Sequence, residues 1–206
     1  MKLKITRFED MRLYDYIFEI DRYEQFLRRR PDLECKKRIN EEIKQQEEMI
    51  EKYSAVGEPH EIDSLWEEFV VFESEKIDEY YNEMTSYFKT LYAIFENQTA
   101  RETRRLDFSR YPKIREMNWA VNVLKHAQGP SYQNLVDNGS KFVQEPVEFT
   151  GILRGTTASE ILNLEFQDLI DFCNEARVAW ADRLKEEQDE FEASRALEAS
   201  DEDKSK

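Results

Sequence analysis

The chain has 206 residues, 36% of them charged, and a formal net charge of −15 at pH 7. Its 13 Phe and 10 Tyr supply enough apolar surface for a real core, which excludes wholesale disorder. The negative balance argues against a broad surface that binds a nucleic-acid backbone, because phosphates and carboxylates repel each other.

The N-terminal part predicts two helices. Apolar residues at largely helical spacing predict the first over residues 8–29, namely Phe8, Met11, Tyr14, Ile17, Phe18 and Phe26. Pro31 suits the first turn of a second helix over residues 32–54. The apolar stripe of that helix is thin and can cover only one neighbour; it comprises Leu33, Ile39, Ile43 and Ile50. We therefore expect residues 1–57 to form an antiparallel helical hairpin that projects from the main body.

The central part predicts the core. One helical segment is expected over residues 61–73 and a long one over residues 75–104. The long segment has the most apolar surface of the chain, with Ile77, Tyr81, Met84, Phe88, Leu91 and Phe95 recurring at i+3 and i+4. A further helix is predicted over residues 112–127, because Gly129-Pro130 is a helix-ending pair.

The C-terminal part begins with the main irregular region, since four of the five glycines lie between residues 129 and 155. A short extended stretch or hairpin is expected over residues 147–155. Residues 160–191 return to helix, and an acidic flexible tail is expected over residues 191–206. Together the elements predict an all-α helical bundle over residues 58–190.

Few residues could hold a metal ion or act as nucleophiles. His60 and His126 are the two histidines, which excludes a metal site built on several imidazoles. No Walker loop and no GxGxxG or GxSxG motif occurs, so no cofactor is expected. Cys35 and Cys173 form no CxxC pair, and we expect buried structural thiols and a cytoplasmic protein. No apolar run is long enough to predict a membrane span.

The end of the helix over residues 112–127 carries a small polar group. Asn122 and His126 are four residues apart and share one helix face, with Lys125 beside them. Such a group could bind a phosphate, and the imidazole could move a proton. The alternative is that Lys125 and His126 only cap the helix C-terminus, where cations are favoured by the helix dipole.

The stretch Val121-Asn122-Val123-Leu124-Lys125-His126 resembles the motif of HEPN-superfamily domains, which reads Arg, a polar residue, three variable residues and His. Asn and His are in register, whereas Val121 stands at the arginine position. The following Ala127-Gln128-Gly129-Pro130-Ser131 is similar to the glycine-containing run of bacterial relatives, with Ala127 at the first glycine. The helix around Tyr87–Glu96 and the late Trp180 are also similar, so that the resemblance covers roughly residues 65–187.

The resemblance implies a HEPN-like component of a bacterial or phage-related antiviral defence or toxin–antitoxin system. Such domains often dimerise through their motif helices, which would place two copies of His126 around one RNA-binding cleft. In catalytic members the arginine and histidine act together on the RNA phosphate. Val121 cannot do so, and Arg110 or Arg154 could substitute only if the fold brought them close. We therefore expect altered or lost RNase activity and a role in protein or RNA binding.

Two alternatives remain. One is a metal-independent endoribonuclease that uses His126, Asn122 and Lys125. The other is an acidic antitoxin- or immunity-type interaction protein, whose charge of −15 would complement a basic partner.

Overall fold

A computed structural model describes residues 8–30, 35–56, 59–102, 106–126, 129–143 and 162–204. Side chains are described for the same residues except 8–10, 35–38, 59–60 and 197–204. All regular structure in these ranges is helical, which confirms the predicted all-α helical bundle. The α-helices are α1 (Phe8–Arg28), α2 (Cys35–Ser54), α3 (Pro59–Ala100), α4 (Pro112–His126), α5 (Pro130–Asp137) and α6 (Phe166–Lys204). Two 3₁₀ helices span Phe108–Arg110 and Lys141–Val143. The short hairpin predicted over residues 147–155 lies outside the described residues.

Helix α3 is continuous over 42 residues, where the sequence predicted two segments that meet near residue 74. No glycine or proline interrupts it after Pro59, so nothing in the chain breaks the helix there. Its predicted core stripe is confirmed, because Ile77, Tyr81, Met84, Phe88, Leu91 and Phe95 are all buried.

The C-terminal half of α3 lies at the centre of the bundle, where it contacts α1, α4 and α6. The interior there is aromatic. The ring centroid of Phe95 lies 5.4 Å from that of Phe172 and 5.5 Å from that of Trp180. The ring centroids of Tyr16 and Trp180 are 5.0 Å apart. Such tilted and edge-on pairs are the arrangement that aromatic rings prefer. They join α1, α3 and α6 in one core.

The predicted first helix is present, but only some of the apolar residues that indicated it face the core. Leu13, Tyr16, Ile20 and Leu27 are buried, whereas Met11, Phe18 and Phe26 are exposed. Helix α1 is apolar on two sides, so its residue spacing alone could not show which side is covered. It packs mainly against α6 and α3, while α2 packs mainly against α3. The sequence predicted that α1 and α2 pair, but neither helix has the other as its main contact. The domain boundary at residue 57 stays a prediction.

The glycine-containing region holds a short helix, α5, that the sequence analysis missed. Pro130 occupies its first turn, a position at which proline is favoured. Gly139 follows the helix with φ of 60°, a left-handed conformation that glycine adopts readily. The amide of Ser140 then donates to the carbonyl of Leu135 at 3.0 Å and closes the helix end.

Helix α6 is shifted relative to the predicted span of residues 160–191. It begins at Phe166, and the Asp168 carboxylate accepts a hydrogen bond from the Glu165 amide at 3.1 Å beside this start. Lys141 forms an ion pair with Asp168 and so joins the second 3₁₀ helix to α6. The helix continues to Lys204, so the residues predicted as a tail from Phe191 onward are helical over most of their length.

Candidate functional site

The helix that carries the HEPN-like motif, α4, is fixed by its first turn and by its apolar side. Pro112 is its first residue, and the Glu175 carboxylate from α6 accepts a hydrogen bond from the Ile114 amide at 2.7 Å. A carboxylate at this end satisfies a free amide and suits the positive end of the helix dipole. The buried residues of α4 are Ile114, Met117, Ala120, Val121, Val123 and Leu124.

A row of polar residues on α4 faces α3. Asn118, Asn122 and Lys125 recur at i, i+4 and i+7, which places them on one side of the helix. The Asn118 Oδ1 atom accepts hydrogen bonds from the Tyr92 hydroxyl at 2.7 Å and from the Asn122 amide at 3.1 Å. The two amides are therefore held by a buried tyrosine of the central helix.

Lys125 completes this row and is already engaged with α3. Its Nζ atom lies 3.7 Å from Oε2 of Glu96 and 5.9 Å from the ring centroid of Tyr92. Burial, and then the charge of Glu96, raises the pKa of Tyr92 to about 12. The tyrosine hydroxyl is therefore neutral near pH 7 and acts as a hydrogen-bond donor. A phosphate at this row would have to compete with Glu96 for the ammonium group.

His126 stands apart from the row. It is the last residue of α4, its side chain is exposed, and it makes no hydrogen bond or ion pair with the described residues. The structure thus brings Asn122 and Lys125 into one network through Tyr92 and Asn118, and leaves the imidazole outside it. Whether His126 caps the helix end stays a prediction, because residues 127–128 lie outside the described ranges.

The arginine position of the motif lies in the core. Val121 is 0% exposed, so a charged side chain at this position would have to displace packed apolar groups. Arg110, one of the two expected substitutes, is paired with Glu186 at 2.8 Å and with Asp182 at 3.6 Å, both on α6. Arg154, the other substitute, lies outside the described residues. No hydrogen bond or ion pair joins a described arginine to the Asn122–Lys125 row.

Sequence reasoning found Asn122 and Lys125 but missed Tyr92, Glu96 and Asn118. The spacing of Asn118, Asn122 and Lys125 is visible in the sequence and could have revealed a polar row. Tyr92 and Glu96 could not be assigned in this way, because their role depends on how α3 packs against α4.

The remaining reactive groups do not join this site. Cys173 is buried, as predicted, and burial raises the pKa of its thiol to about 12, which leaves it protonated. The side chain of Cys35 lies outside the described residues. Within the described part of the chain, no three or more His, Cys, Asp and Glu residues are grouped so that they could hold a metal ion. None of the described helices has the length and apolarity needed to cross a membrane.

Neither family models nor curated proteins nor solved structures give a match to this chain.

Proposed function

We propose that this protein is a HEPN-like component of a bacterial or phage-related defence or toxin–antitoxin system that lacks RNase activity and acts by binding protein or RNA. The observation that carries the proposal is the burial of Val121, which is 0% exposed at the position where the motif needs an arginine. Metal-independent cleavage needs a cation to hold the phosphate while the histidine transfers a proton. That cation is missing from this position.

The state of the other two motif residues supports the same proposal. Lys125, the lysine within the motif stretch, is within ion-pair distance of Glu96. Asn122 donates to Asn118, which also accepts a hydrogen bond from Tyr92 of α3. His126 is exposed and could contact a partner, but its side chain forms no hydrogen bond or ion pair with the described residues. A surface of this kind suits binding better than proton transfer.

One feature favours the second alternative, an acidic interaction protein. The end of α6 from residue 188 to 204 carries seven acidic and two basic residues, a net charge of −5. The described side chains from residue 189 onward are exposed except that of Phe191, which is half-buried. A projecting acidic helix of this length could attract a basic partner.

The test is incubation of the purified full chain with total RNA in the presence of EDTA, followed by electrophoresis of the RNA. We expect no cleavage above a protein-free control, and the same result for His126→Ala. Because His126 is exposed, this substitution should change the free energy of unfolding by less than about 0.5 kcal/mol.

The matched variant is Lys125→Ala, which removes the cation of the row and leaves the imidazole in place. Cleavage by the wild type that is lost in His126→Ala, with an unchanged melting temperature, would contradict the proposal. That outcome would favour the endoribonuclease alternative. Loss of cleavage in Lys125→Ala as well would identify the cation that replaces the motif arginine.

A further inference from the structure

A second polar surface lies on a different side of α3, where the helix meets α1. An open groove lies between the two helices. Its volume of about 460 Å³ falls within the usual range for small-molecule sites. It is lined by Ile94 and Gln98 of α3 and by Arg101, which follows the end of α3 directly. None of the residues predicted from the HEPN-like motif belongs to it.

The floor of the groove is a buried amide that is hydrogen-bonded at both ends. Gln98 is 1% exposed, and its Oε1 atom accepts a hydrogen bond from the Trp180 indole at 2.9 Å. Its Nε2 atom donates to the Tyr16 carbonyl at 3.2 Å and to the Glu19 carboxylate at 2.9 Å. A buried and satisfied amide of this kind fixes local geometry. Glu19 is therefore held at the edge of the floor.

Two arginines line the groove without a partner among the described carboxylates. Neither Arg22 nor Arg101 forms an ion pair with any described residue, and the Arg22 guanidinium lies 5.9 Å from the ring centroid of Phe18. Ion pairs with described carboxylates are formed by Arg12, Arg28, Arg110, Arg177 and Arg183, whereas Arg29, Arg115 and Arg195 form none with the described residues. Among the described lining residues Glu19 is the one acidic side chain, so that these residues together carry a net charge of +1 on a chain whose charge is −15.

One wall of the groove is aromatic, and the planes of its Tyr23 and Phe26 rings are tilted by 41° relative to each other. Phe26 is 45% exposed, and its ring centroid lies 5.7 Å from that of Tyr23 and 6.2 Å from that of Tyr87. The Tyr23 hydroxyl donates to the Tyr87 carbonyl at 3.3 Å, which holds the Tyr23 ring against α3. An exposed aromatic ring supported in this way offers a rigid surface for a planar ligand group.

We propose that this groove binds a small organic anion that carries a flat apolar group. The anionic group would contact Arg22 and Arg101, because guanidinium groups bind carboxylate, phosphate and sulfonate oxygens in planar geometry. The flat group would lie on Phe26 and Tyr23. The negative charge elsewhere on the protein opposes anion binding outside the groove. This inference is independent of the function proposed for α4.

The probe is 8-anilinonaphthalene-1-sulfonate, an aromatic anion whose fluorescence rises when it is bound, titrated against the full chain. We expect saturable binding at one site. Arg22→Gln and Arg101→Gln should each raise the dissociation constant at least about tenfold, because each removes a charge-assisted contact. The matched control is Arg29→Gln, directly after the end of α1, where Arg29 is exposed and does not line the groove. Its dissociation constant should stay within about twofold of the wild-type value.

Three further ligands and one further variant distinguish the effect of the ligand's charge from the effect of its shape. Phenyl phosphate should displace the probe, whereas inorganic phosphate at the same concentration should not, and the neutral N-phenyl-1-naphthylamine should bind at least about tenfold more weakly. Asn97→Trp fills the groove from an exposed position on α3 and should block binding without unfolding the chain. The proposal is overturned if the probe does not bind, if Arg29→Gln weakens binding as much as the groove variants, or if the groove variants leave it unchanged. Melting curves of every variant establish that the chain is folded.

Discussion

Helices α1 and α2 are neighbours in the chain and have nearly equal lengths, 21 and 20 residues, but the bundle uses them differently. Helix α1 packs against both α6 and α3, and Arg177 of α6 forms ion pairs with its Asp21, at 2.8 Å, and with its Glu24. Helix α2 packs mainly against α3, and the described ion pair between them joins Glu42 to Lys76 at 3.6 Å. Both helices contribute buried residues to the core, but α1 packs against two helices and α2 mainly against one.

The two helices show that the number of neighbouring helices, more than the width of the apolar stripe, determines how a helix is packed in the bundle. The narrow stripe of α2 correctly predicted contact with one helix, and Ile39, Ile43 and Ile50 are buried there. The broader apolar surface of α1 extends beyond the side that faces the core, so that Met11, Phe18 and Phe26 are exposed. Its exposed part, which includes Phe26, forms one wall of the groove between α1 and α3.

The largest expected effect concerns a chain that starts at residue 58. Removal of α1 takes Leu13, Tyr16, Ile20 and Leu27 out of the core and uncovers Trp180. We therefore expect this fragment to lose the cooperative thermal transition that the full chain shows, because the uncovered surface is both large and apolar. Calorimetry and near-ultraviolet circular dichroism of both chains test this. A sharp transition in the fragment would instead support a domain boundary at residue 57.

The sequence predicted most of the fold because long, strongly periodic segments specify helices reliably. The ends of α1 and α4 lie within one residue of their predicted positions, and the core stripe of α3 is confirmed. The missed elements depend on local or tertiary effects. Helix α5 is only eight residues long and lies among turn-forming residues, and the end of α6 lacks the apolar stripe by which helices are recognised.

The sequence could predict only those residues of the candidate site that lie together on α4. Asn122, Lys125 and His126 could be placed together because i+3 and i+4 spacing is geometric. The Tyr92–Asn118 hydrogen bond and the Lys125–Glu96 ion pair join residues of α3 and α4, so they required the packing of those helices. The same holds for the groove, where Gln98 connects Glu19 of α1 to Trp180 of α6.

The second-largest expected effect concerns the loss of one buried side chain from α1 or from α2. Leu13→Ala in α1 should lower the free energy of unfolding by about 3–5 kcal/mol, since Leu13 is fully buried in the α1, α3 and α6 core and the cavity cannot close. Ile43→Ala in α2 should cost only about 2 kcal/mol, because a helix with one main neighbour can shift to fill the space. Urea titration measures both. Equal losses would show that α2 is held as firmly as α1.

The smallest effect concerns Glu24, whose carboxylate on α1 accepts hydrogen bonds from Arg177 of α6 and from Arg28 at 2.7 Å. Burial alone would raise the pKa of Glu24, but these hydrogen bonds and the two positive charges outweigh it, so the pKa lies below its ordinary value. A carboxylate with a lowered pKa in the folded state stabilises the protein above its unfolded-state pKa, near 4.3. That stabilisation is lost as the pH falls through the folded-state value.

Glu24→Gln should therefore cost about 1–2 kcal/mol near pH 7, and the difference from the wild type should shrink as the pH falls below about 4. The control is Glu42→Gln on α2, whose partner Lys76 lies 3.6 Å away at a more exposed position, and we expect less than about 0.5 kcal/mol there. Urea titrations at several pH values measure both differences. A cost for Glu24→Gln that is the same at pH 3 and pH 7 would show that packing, and not the charge on the carboxylate, attaches this part of α1 to α6.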